Sequence, residues 1–376
     1  MFKNFRKTLK THKLFLIIIV LLFIFILLFG KLIFTAAKWS PVFFQYIFQN
    51  ESSLKTSDDR VNVLFLGIGG GRHDGPLLTD TIIYASINPV KQKVTLISIP
   101  RDLWVPDLES TSKKINTAYV YGEEKHKNGG LPLVKAVVEK ILNQPVDYIL
   151  LIDFEGFVKA IDRVGGIDVN VQRNFEDFEY PINGKETDTC GFTGNEFEKR
   201  ATSSAIFESF PCRYEHLNFQ QGSQHMDGET ALKFVRSRHA KGIEGTDFAR
   251  GKRQELVIEA FKRKLFSVNT LLNPGRLMSL YDVVKDSIRT NIKQDEYDDF
   301  IKLAQKMKNS ETNNVVFSYT DPYSGQQGIF INPLDSEKYD NEWVLIPRAG
   351  NGNFSEVQKY VDCEIKIGNC PINSKY

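Results

Sequence analysis

The sequence predicts an α/β fold standing behind a single apolar N-terminal segment, and three observations carry that expectation. The chain has 376 residues, of which 42% are hydrophobic, enough to bury a large core. Residues 14–30 are uncharged and almost wholly apolar. From residue 61 onward, short apolar runs bounded by Gly and Pro alternate with longer stretches of helical periodicity.

The N-terminal run comes first in the chain. About 20 apolar residues cross a bilayer core, so residues 14–37 predict a transmembrane anchor and residues 1–13 a tail. Lys3, Arg6, Lys7, Lys10 and Lys13 precede the run, which keeps the tail cytoplasmic and exports the body. A cleaved signal peptide is the rival. Thr35-Ala36-Ala37 is only a loose small-residue cleavage site, however, and the apolar run exceeds a usual signal core. The expectation is an uncleaved single-pass anchor with its linker at 38–59.

Charge and cysteine content narrow the class further. Residues 1–50 hold seven Lys/Arg and no Asp or Glu; removing those seven from the net +2 leaves −5 on the remainder. A mildly acidic body is not a nucleic-acid binder, which needs a broad basic surface. The four cysteines fall into two neighbouring pairs, Cys190 with Cys212 and Cys363 with Cys370. Local disulfides in an oxidising compartment are the simpler reading, though four cysteines permit three pairings.

Val61–Gly67, Thr81–Ile87 and Val94–Ile99 are strand-like, with a Pro-containing turn at 88–93. Residues 113–122 and 131–143 are expected to be helical, the second with Leu133, Val137, Val138, Ile141 and Leu142 on one stripe. A buried strand follows at 146–152. Next come a helix over 154–164 that stops at Gly165-Gly166, and a strand at 167–171. Residues 173–225 are polar and aromatic, and are expected to form an irregular exposed insertion. A short helix at 229–235 leads to a longer one from Asp247 to about residue 266. Beyond lie expected helices at 276–287, 294–308 and 355–361, with strands at 315–319, 328–331 and 343–346.

Chemistry concentrates in a few loops. Arg236 and Arg238 sit two apart, so an extended backbone turns both guanidiniums to one side. Arg250 and Arg253 sit three apart on one helical face, just after a helix start near Asp247. Together they suit a multiply charged phosphate, because Arg binds phosphate bidentately and a helix N-terminus adds partial positive charge. Asp80 heads the second strand and Asp102 follows the third, beside Arg101. Carboxylates with phosphate oxygens and water are the usual means of holding Mg²⁺. The glycine loop from Gly67 to Gly75 fails as a dinucleotide fingerprint: Arg72 stands at the last glycine position and a strand follows instead of a helix. No Gly-x-Ser-x-Gly elbow or convincing catalytic triad occurs.

The motifs in order are Thr79-Asp80-Thr81, Ser98-Ile-Pro-Arg101-Asp102, Lys114-Ile-Asn116-x-Ala-Tyr119 and Asp153-Phe-x-Gly-Phe157. Val164-Gly-Gly-Ile-Asp-Val169, Arg236-Ser-Arg238 and Asp247-Phe-x-Arg250-x-x-Arg253-Gln254 follow. This order, from about residue 60 to 266, resembles the LytR-CpsA-Psr family. The resemblance implies a three-layer α/β/α sandwich around a mixed central sheet, here at 60–270; the stretch at 173–226 is read from its own composition as a disulfide-containing insertion and 271–376 as an extension. It implies a polyprenyl pyrophosphate lipid whose tail enters an apolar pocket and whose head group meets arginines and Mg²⁺ or Mn²⁺. The implied reaction moves a glycopolymer phosphate from that lipid to a peptidoglycan sugar hydroxyl, at the bilayer surface.

Carried over by position, Arg101, Arg236, Arg238, Arg250 and Arg253, with Gln254, would bind the pyrophosphate. Arg101, Asp102 and Asp247 would be the catalytic set, the aspartates holding arginines or serving as base. Asp80 would hold the metal. One departure stands out: the family's second metal Asp is replaced by Gly69, and Asp74 in the lengthened loop is the expected substitute. Its usual arginine before the Thr-Asp pair is Leu78 here, with Arg72 as the candidate replacement. The alternatives to a transferase are a non-catalytic polyprenyl-phosphate sensor or scaffold and a transcriptional attenuator. The last fits poorly, since roughly a dozen residues before the apolar run are too few for a DNA-binding fold.

Overall fold

The computed structural model describes residues 54–71, 75–108, 111–203, 206–265, 267, 275, 280, 282–283, 287–317, 319–320 and 328–372, with backbone alone at 107, 111, 112, 247 and 248. The expected tail and anchor at 1–37, most of the linker, and most of the expected helix at 276–287 lie outside the described residues. Among the described residues, no helix is long and apolar enough to cross a membrane.

The larger of two compact units holds residues 55–293 and 303–376. Its centre is a six-stranded mixed sheet. Strand β1 (Val61–Ile68) is antiparallel to β2 (Thr79–Asn88), and β2 is antiparallel to β3 (Lys93–Ser98). A two-stranded ribbon follows, β4 (Trp104–Leu108) with β5 (Thr111–Lys114), then helices α1 (Ala118–Lys125) and α2 (Gly130–Leu142). The chain returns as β6 (Tyr148–Asp153), parallel to β1 on its other side. Residues 111–114 are extended where a helix is expected from 113; pairing with β4 overrides the local helical pattern, and α1 starts at Ala118.

The alternation of side chains along the strands makes the layers. Leu64 and Leu66 of β1, Ile82 and Tyr84 of β2, Ile97 of β3, and Ile149 and Leu151 of β6 face one core. There they meet Val134, Val138 and Ile141 of α2. The intervening residues Phe65, Ile83, Leu96 and Ile152 face the other side, which is only partly filled. A strand buried on both faces reads as a continuous apolar run, as VNVLFLGI does here.

Over that second face lie α3 (Phe154–Arg163), β7 (Ile167–Val171) and β8 (Phe175–Pro181). The short helices α4 (Gly194–Ala201) and α5 (Ile206–Ser209) follow, then β9 (Tyr214–Phe219), β10 (Gly222–Met226), α6 (Gly228–Arg236) and α7 (Asp247–Leu265). The stretch 173–225 is thus not irregular throughout. β8 pairs with β9 and β10 with β7, and Phe175, Leu217 and Phe219 join a second core with Phe234 and Val257. Frequent outward acids and amides on short strands mask the inward apolar positions. Cys190–Cys212 staples the part between β8 and β9, and Cys363–Cys370 closes a short loop at the other end of the chain.

The C-terminal residues complete this unit. β11 (Ile288–Thr290) pairs with β6 at one edge of the main sheet, and β12 (Glu311–Val316) runs parallel to β3 at the other. β13 (Tyr319–Thr320), β14 (Phe330–Ile331) and β15 (Ile346–Pro347) form a small sheet. The smaller unit is described at Leu54 and 294–302, with a 3-10 turn at Gln294–Glu296 and the beginning of α8 (Tyr297–Lys306). The last helix, α9 (Ser355–Lys366), places Val357, Val361 and Ile365 in the first core.

Candidate functional site

The partly filled face of the sheet is the floor of a cavity of about 330 Å³. Phe65, Ile83, Leu96 and Ile152 form that floor, Phe154 and Phe157 of α3 and Leu232 of α6 one wall, and Val257 and Ile258 of α7 another. Phe65 remains 38% exposed, an unusual value for a mid-strand aromatic, because the cavity lies over its ring. The same space is lined by Asp80, Thr81, Arg236, Arg238, Arg250 and Gln254. An apolar chamber bordered by guanidiniums suits an amphiphile with an anionic head.

Each arginine is presented differently. Arg236 is the last residue of α6; its guanidinium stacks 4.2 Å above the Phe154 ring and donates to the Tyr180 hydroxyl at 3.2 Å. Ser237 then leaves the helix with an extended ψ of 131°, which swings Arg238 back over the cavity. Arg238 Nη2 lies 3.5 Å from Asp80 Oδ1, and Arg101 Nη1 lies 2.5 Å from the same oxygen. Arg250 lines the cavity from the first turn of α7, where the Thr246 hydroxyl caps the Ala249 N–H at 3.2 Å. Gln254, one turn on, donates to Thr81 Oγ1 at 3.1 Å.

Arg253 is not brought to the cavity. It is 3% exposed, and its Nε and Nη2 donate to the Phe234 and Ser237 carbonyls at 2.9 and 2.6 Å. Its Nη1 donates to Glu244, to the carbonyl at 2.8 Å and the carboxylate at 3.0 Å. Arg253 is offset about 60° round the helix from Arg250, and its side chain turns to the Glu244 loop. Arg253 therefore ties down the segment that carries Arg236 and Arg238. Asp102 is likewise set back: it is 8% exposed and lies between Arg101 and Lys114, 3.4 and 3.2 Å away. Asp247 opens α7, and its side chain is outside the described residues, as is the whole of Asp74 and Arg72.

Sequence reasoning passed over Asp177, which is fully buried in β8 and contacts the arginine loop from the opposite side. Its Oδ2 accepts from Ser237 Oγ at 2.7 Å and from the N–H groups of Arg238 and His239 at 3.1 and 3.2 Å. Its Oδ1 accepts from the Glu179 N–H at 3.0 Å. The available signal was an aspartate two residues after inward-facing Phe175, on the same side of its strand. The aromatic partners of Arg236 were also missed, because Phe154 and Tyr180 come from distant segments.

Asp80 is the electrostatic pivot. Burial alone would raise its carboxyl, but the charges of Arg101, Arg238 and Arg250 and the Arg101 hydrogen bond outweigh that and hold it below the ordinary value. Both arginines approach Asp80 at Oδ1. A carboxylate is also the kind of group that shares a hard cation with phosphate oxygens and water. Two other carboxylates line the cavity: Asp177, bonded as above, and Asp153, whose Oδ1 caps α3 on the Gly156 N–H at 2.7 Å. Gly70 closes over Asp153 with φ +66°, and a Cβ there would come within 2.7 Å of the Asp153 Cβ.

Comparison with known proteins adds three findings. The profile of the LytR_cpsA_psr family matches residues 43–342. Among curated proteins, the polyisoprenyl-teichoic acid–peptidoglycan teichoic acid transferase TagU of Bacillus mycoides is 28% identical over 263 residues, covering 69% of this chain and 70% of that protein. Its namesake in Oceanobacillus iheyensis is 30% identical over 246 residues, 65% of this chain and 63% of that protein. Among solved structures, B. subtilis TagV has a TM-score of 0.52 at 22% identity, over 82% of this chain and 98% of that one. This last likeness speaks for the fold.

Proposed function

The chain belongs to the LytR-CpsA-Psr family, and from that premise we propose that it is a cell-wall glycopolymer transferase working outside the membrane. In this reading it takes a glycopolymer from a polyprenyl pyrophosphate carrier and joins it, through phosphate, to a sugar hydroxyl of peptidoglycan. The observation that carries the proposal is the cavity: a largely apolar chamber of about 330 Å³ whose lining also includes Asp80, Arg236, Arg238 and Arg250, with Arg101 paired to Asp80. The named activity of the TagU relatives supports the choice of polymer class and acceptor. An anchor at 14–37 would hold the cavity near the lipid.

The chemistry assigned to the residues is positioning and charge neutralisation. The acceptor oxygen forms a bond to the phosphorus that carries the glycopolymer. The bond from that phosphorus to the bridging oxygen breaks, and polyprenyl monophosphate leaves. Arg236, Arg238 and Arg250 bind the non-bridging oxygens, and Arg101 moves between Asp80 and the leaving phosphate. Asp102 is committed to two cations and holds Arg101, which leaves the hydroxyl proton to Asp247. Mg²⁺ or Mn²⁺, held by Asp80 and Asp74, would supply further neutralisation of the phosphates.

The test is turnover. The full chain in detergent is given a polyprenyl-pyrophosphate-linked oligosaccharide, a peptidoglycan fragment and Mg²⁺, and products are read by mass spectrometry. The expected products are the phosphodiester conjugate and polyprenyl monophosphate in equal amounts. Lipid binding without turnover would favour the non-catalytic sensor or scaffold. Asp74→Ala should raise the Mg²⁺ concentration that turnover needs; unchanged Mg²⁺ dependence and activity would remove Asp74 from the metal site.

A further inference from the structure

Arg101 belongs to a chain of alternating charges that runs from the C-terminal part of the molecule to the cavity. Glu342 Oε2 lies 2.8 Å from Lys114 Nζ, and Lys114 Nζ lies 3.2 Å from Asp102 Oδ1. Asp102 Oδ2 lies 3.4 Å from Arg101 Nε. Arg101 Nη1 meets Asp80 Oδ1 at 2.5 Å, and Arg238 Nη2 approaches that oxygen at 3.5 Å. Three anions and three cations thus alternate without a break, with the cavity-lining guanidinium of Arg238 at one end and Glu342 at the other.

Backbone hydrogen bonds hold the segments that carry Glu342, Asp102 and Lys114 together. The Leu345 N–H donates to the Asp102 carbonyl at 2.9 Å, and the Trp104 N–H donates to the Leu345 carbonyl at 2.8 Å. The Ile115 N–H donates to the Leu103 carbonyl at 2.8 Å, which ties the Lys114 segment to the same loop. Trp104 and Val344 are buried together with Tyr339 and Ile346 beneath it. The fold of this corner therefore rests on backbone pairing and apolar burial, and the ionic chain is added to it.

What the ionic chain adds is a choice of partner for Arg101. The guanidinium stands between two carboxylates, Asp80 at the cavity and Asp102 behind it. An uncompensated, nearly buried Asp102 would draw Arg101 back from the cavity, because an ion pair there is screened little by solvent. Lys114 supplies a second cation to Asp102 and so weakens that pull. Glu342 in turn keeps Lys114, whose side chain is 17% exposed, in reach of Asp102. We propose that Lys114 and Glu342 are positioning residues of this site, which set the Arg101 guanidinium on the cavity side through Asp102. The inference rests on the lipid-pyrophosphate reading above and gives the C-terminal residues a part in it.

The test separates a charge chain from a mere tie between segments. Affinity for farnesyl pyrophosphate, a soluble polyprenyl pyrophosphate, is measured by calorimetry on the full chain in detergent, with Tm recorded for every variant. Lys114→Met should weaken binding about tenfold or more, as expected for losing a charge-assisted contact. Lys114→Arg, which keeps both pairs, should stay within about threefold. Glu342→Gln, at a half-exposed position, should give an intermediate loss with Tm unchanged. The exchange Lys114→Glu with Glu342→Lys restores the pair between the two segments but sets a carboxylate against Asp102, so its binding should stay weak. Wild-type affinity in Lys114→Met and Glu342→Gln, or recovery in the exchanged pair, overturns the inference alone. Failure of the wild-type chain to bind the probe overturns the lipid-pyrophosphate reading and this inference with it.

Discussion

The arginines of this site differ in what they hold, and single substitutions should separate them. Arg236 faces the cavity, supported by the Phe154 ring and the Tyr180 hydroxyl, so on the proposed function Arg236→Ala would remove a ligand contact and little of the fold. It should lower transfer by roughly tenfold to a hundredfold, the kinetic equivalent of about 1.5–3 kcal/mol, with Tm close to wild type. Arg253 is buried with Glu244 and two carbonyls, so Arg253→Ala leaves those acceptors stranded. It should cost roughly 3–5 kcal/mol of stability, read by urea denaturation, and lose activity as a consequence. Equal stability of the two variants would contradict the division of labour drawn here. Asp177 shares the task of Arg253: it is a buried carboxylate with four donors around it that holds the loop.

At the scale of the element, α7 carries two faces with different tasks. Arg250, Gln254, Val257 and Ile258 line the cavity, whereas Gly251 packs against Val316 of β12 and Ser98 of β3. Glu255 lies one turn after Gly251 and is 1% exposed, with Lys252 Nζ 3.2 Å from its Oε2. Burial pushes its carboxyl up from 4.5 to about 7, against the opposing pull of Lys252. A carboxyl raised by folding makes the native state bind protons more tightly than the unfolded chain. The stability it contributes is complete below 4.5 and is lost as pH rises to about 7. Glu255→Gln keeps the neutral form at every pH. Its Tm should therefore gain on wild type as pH climbs through that window, and a constant difference would show that Glu255 does not titrate there. Asp80 has the opposite sign: its depressed carboxyl contributes stability that is lost only as pH falls through its lowered folded value, on the acid side of the ordinary range.

At the scale of the whole molecule, the residues after 310 are part of the structure that bears the cavity. β12 closes an edge of the main sheet, and Val315, Phe317, Phe330, Leu345, Val357 and Val361 are buried in the first core. A chain ending at residue 310 would expose the edge of β3 and lose all six side chains. Burial of each is worth on the order of 1.5–3 kcal/mol, which together is comparable to the whole stability of an ordinary domain. Such a chain should show no cooperative thermal transition by calorimetry; a transition like that of the full chain would mean that the C-terminal part is dispensable to the fold.

The sequence by itself determined the α/β class, most of the sheet strands, the helices over 131–143 and 247–265, and the charged residues Asp80, Arg236, Arg238 and Arg250 that border the cavity. Those signals are local. Runs such as VNVLFLGI are legible because burial on both faces demands continuous apolar character, and Arg236, Arg238 and Arg250 are conspicuous because clustered guanidiniums are costly without an anion. Only the tertiary structure decided which arginine faces the cavity and which one holds the loop. The difference between Arg250 and Arg253 depends on helix rotation and on Glu244, Phe234 and Ser237 arriving beside one of them. Asp177, Phe154 and Glu342 act across long separations in the chain, and a single aspartate or glutamate carries no local mark of its partner. The empty face of the sheet was also hidden, since Phe65, Ile83 and Leu96 read as core residues whether protein packs on them or a cavity does. A chain's pattern states which side chains leave water; the packing of distant segments states what they meet when they do.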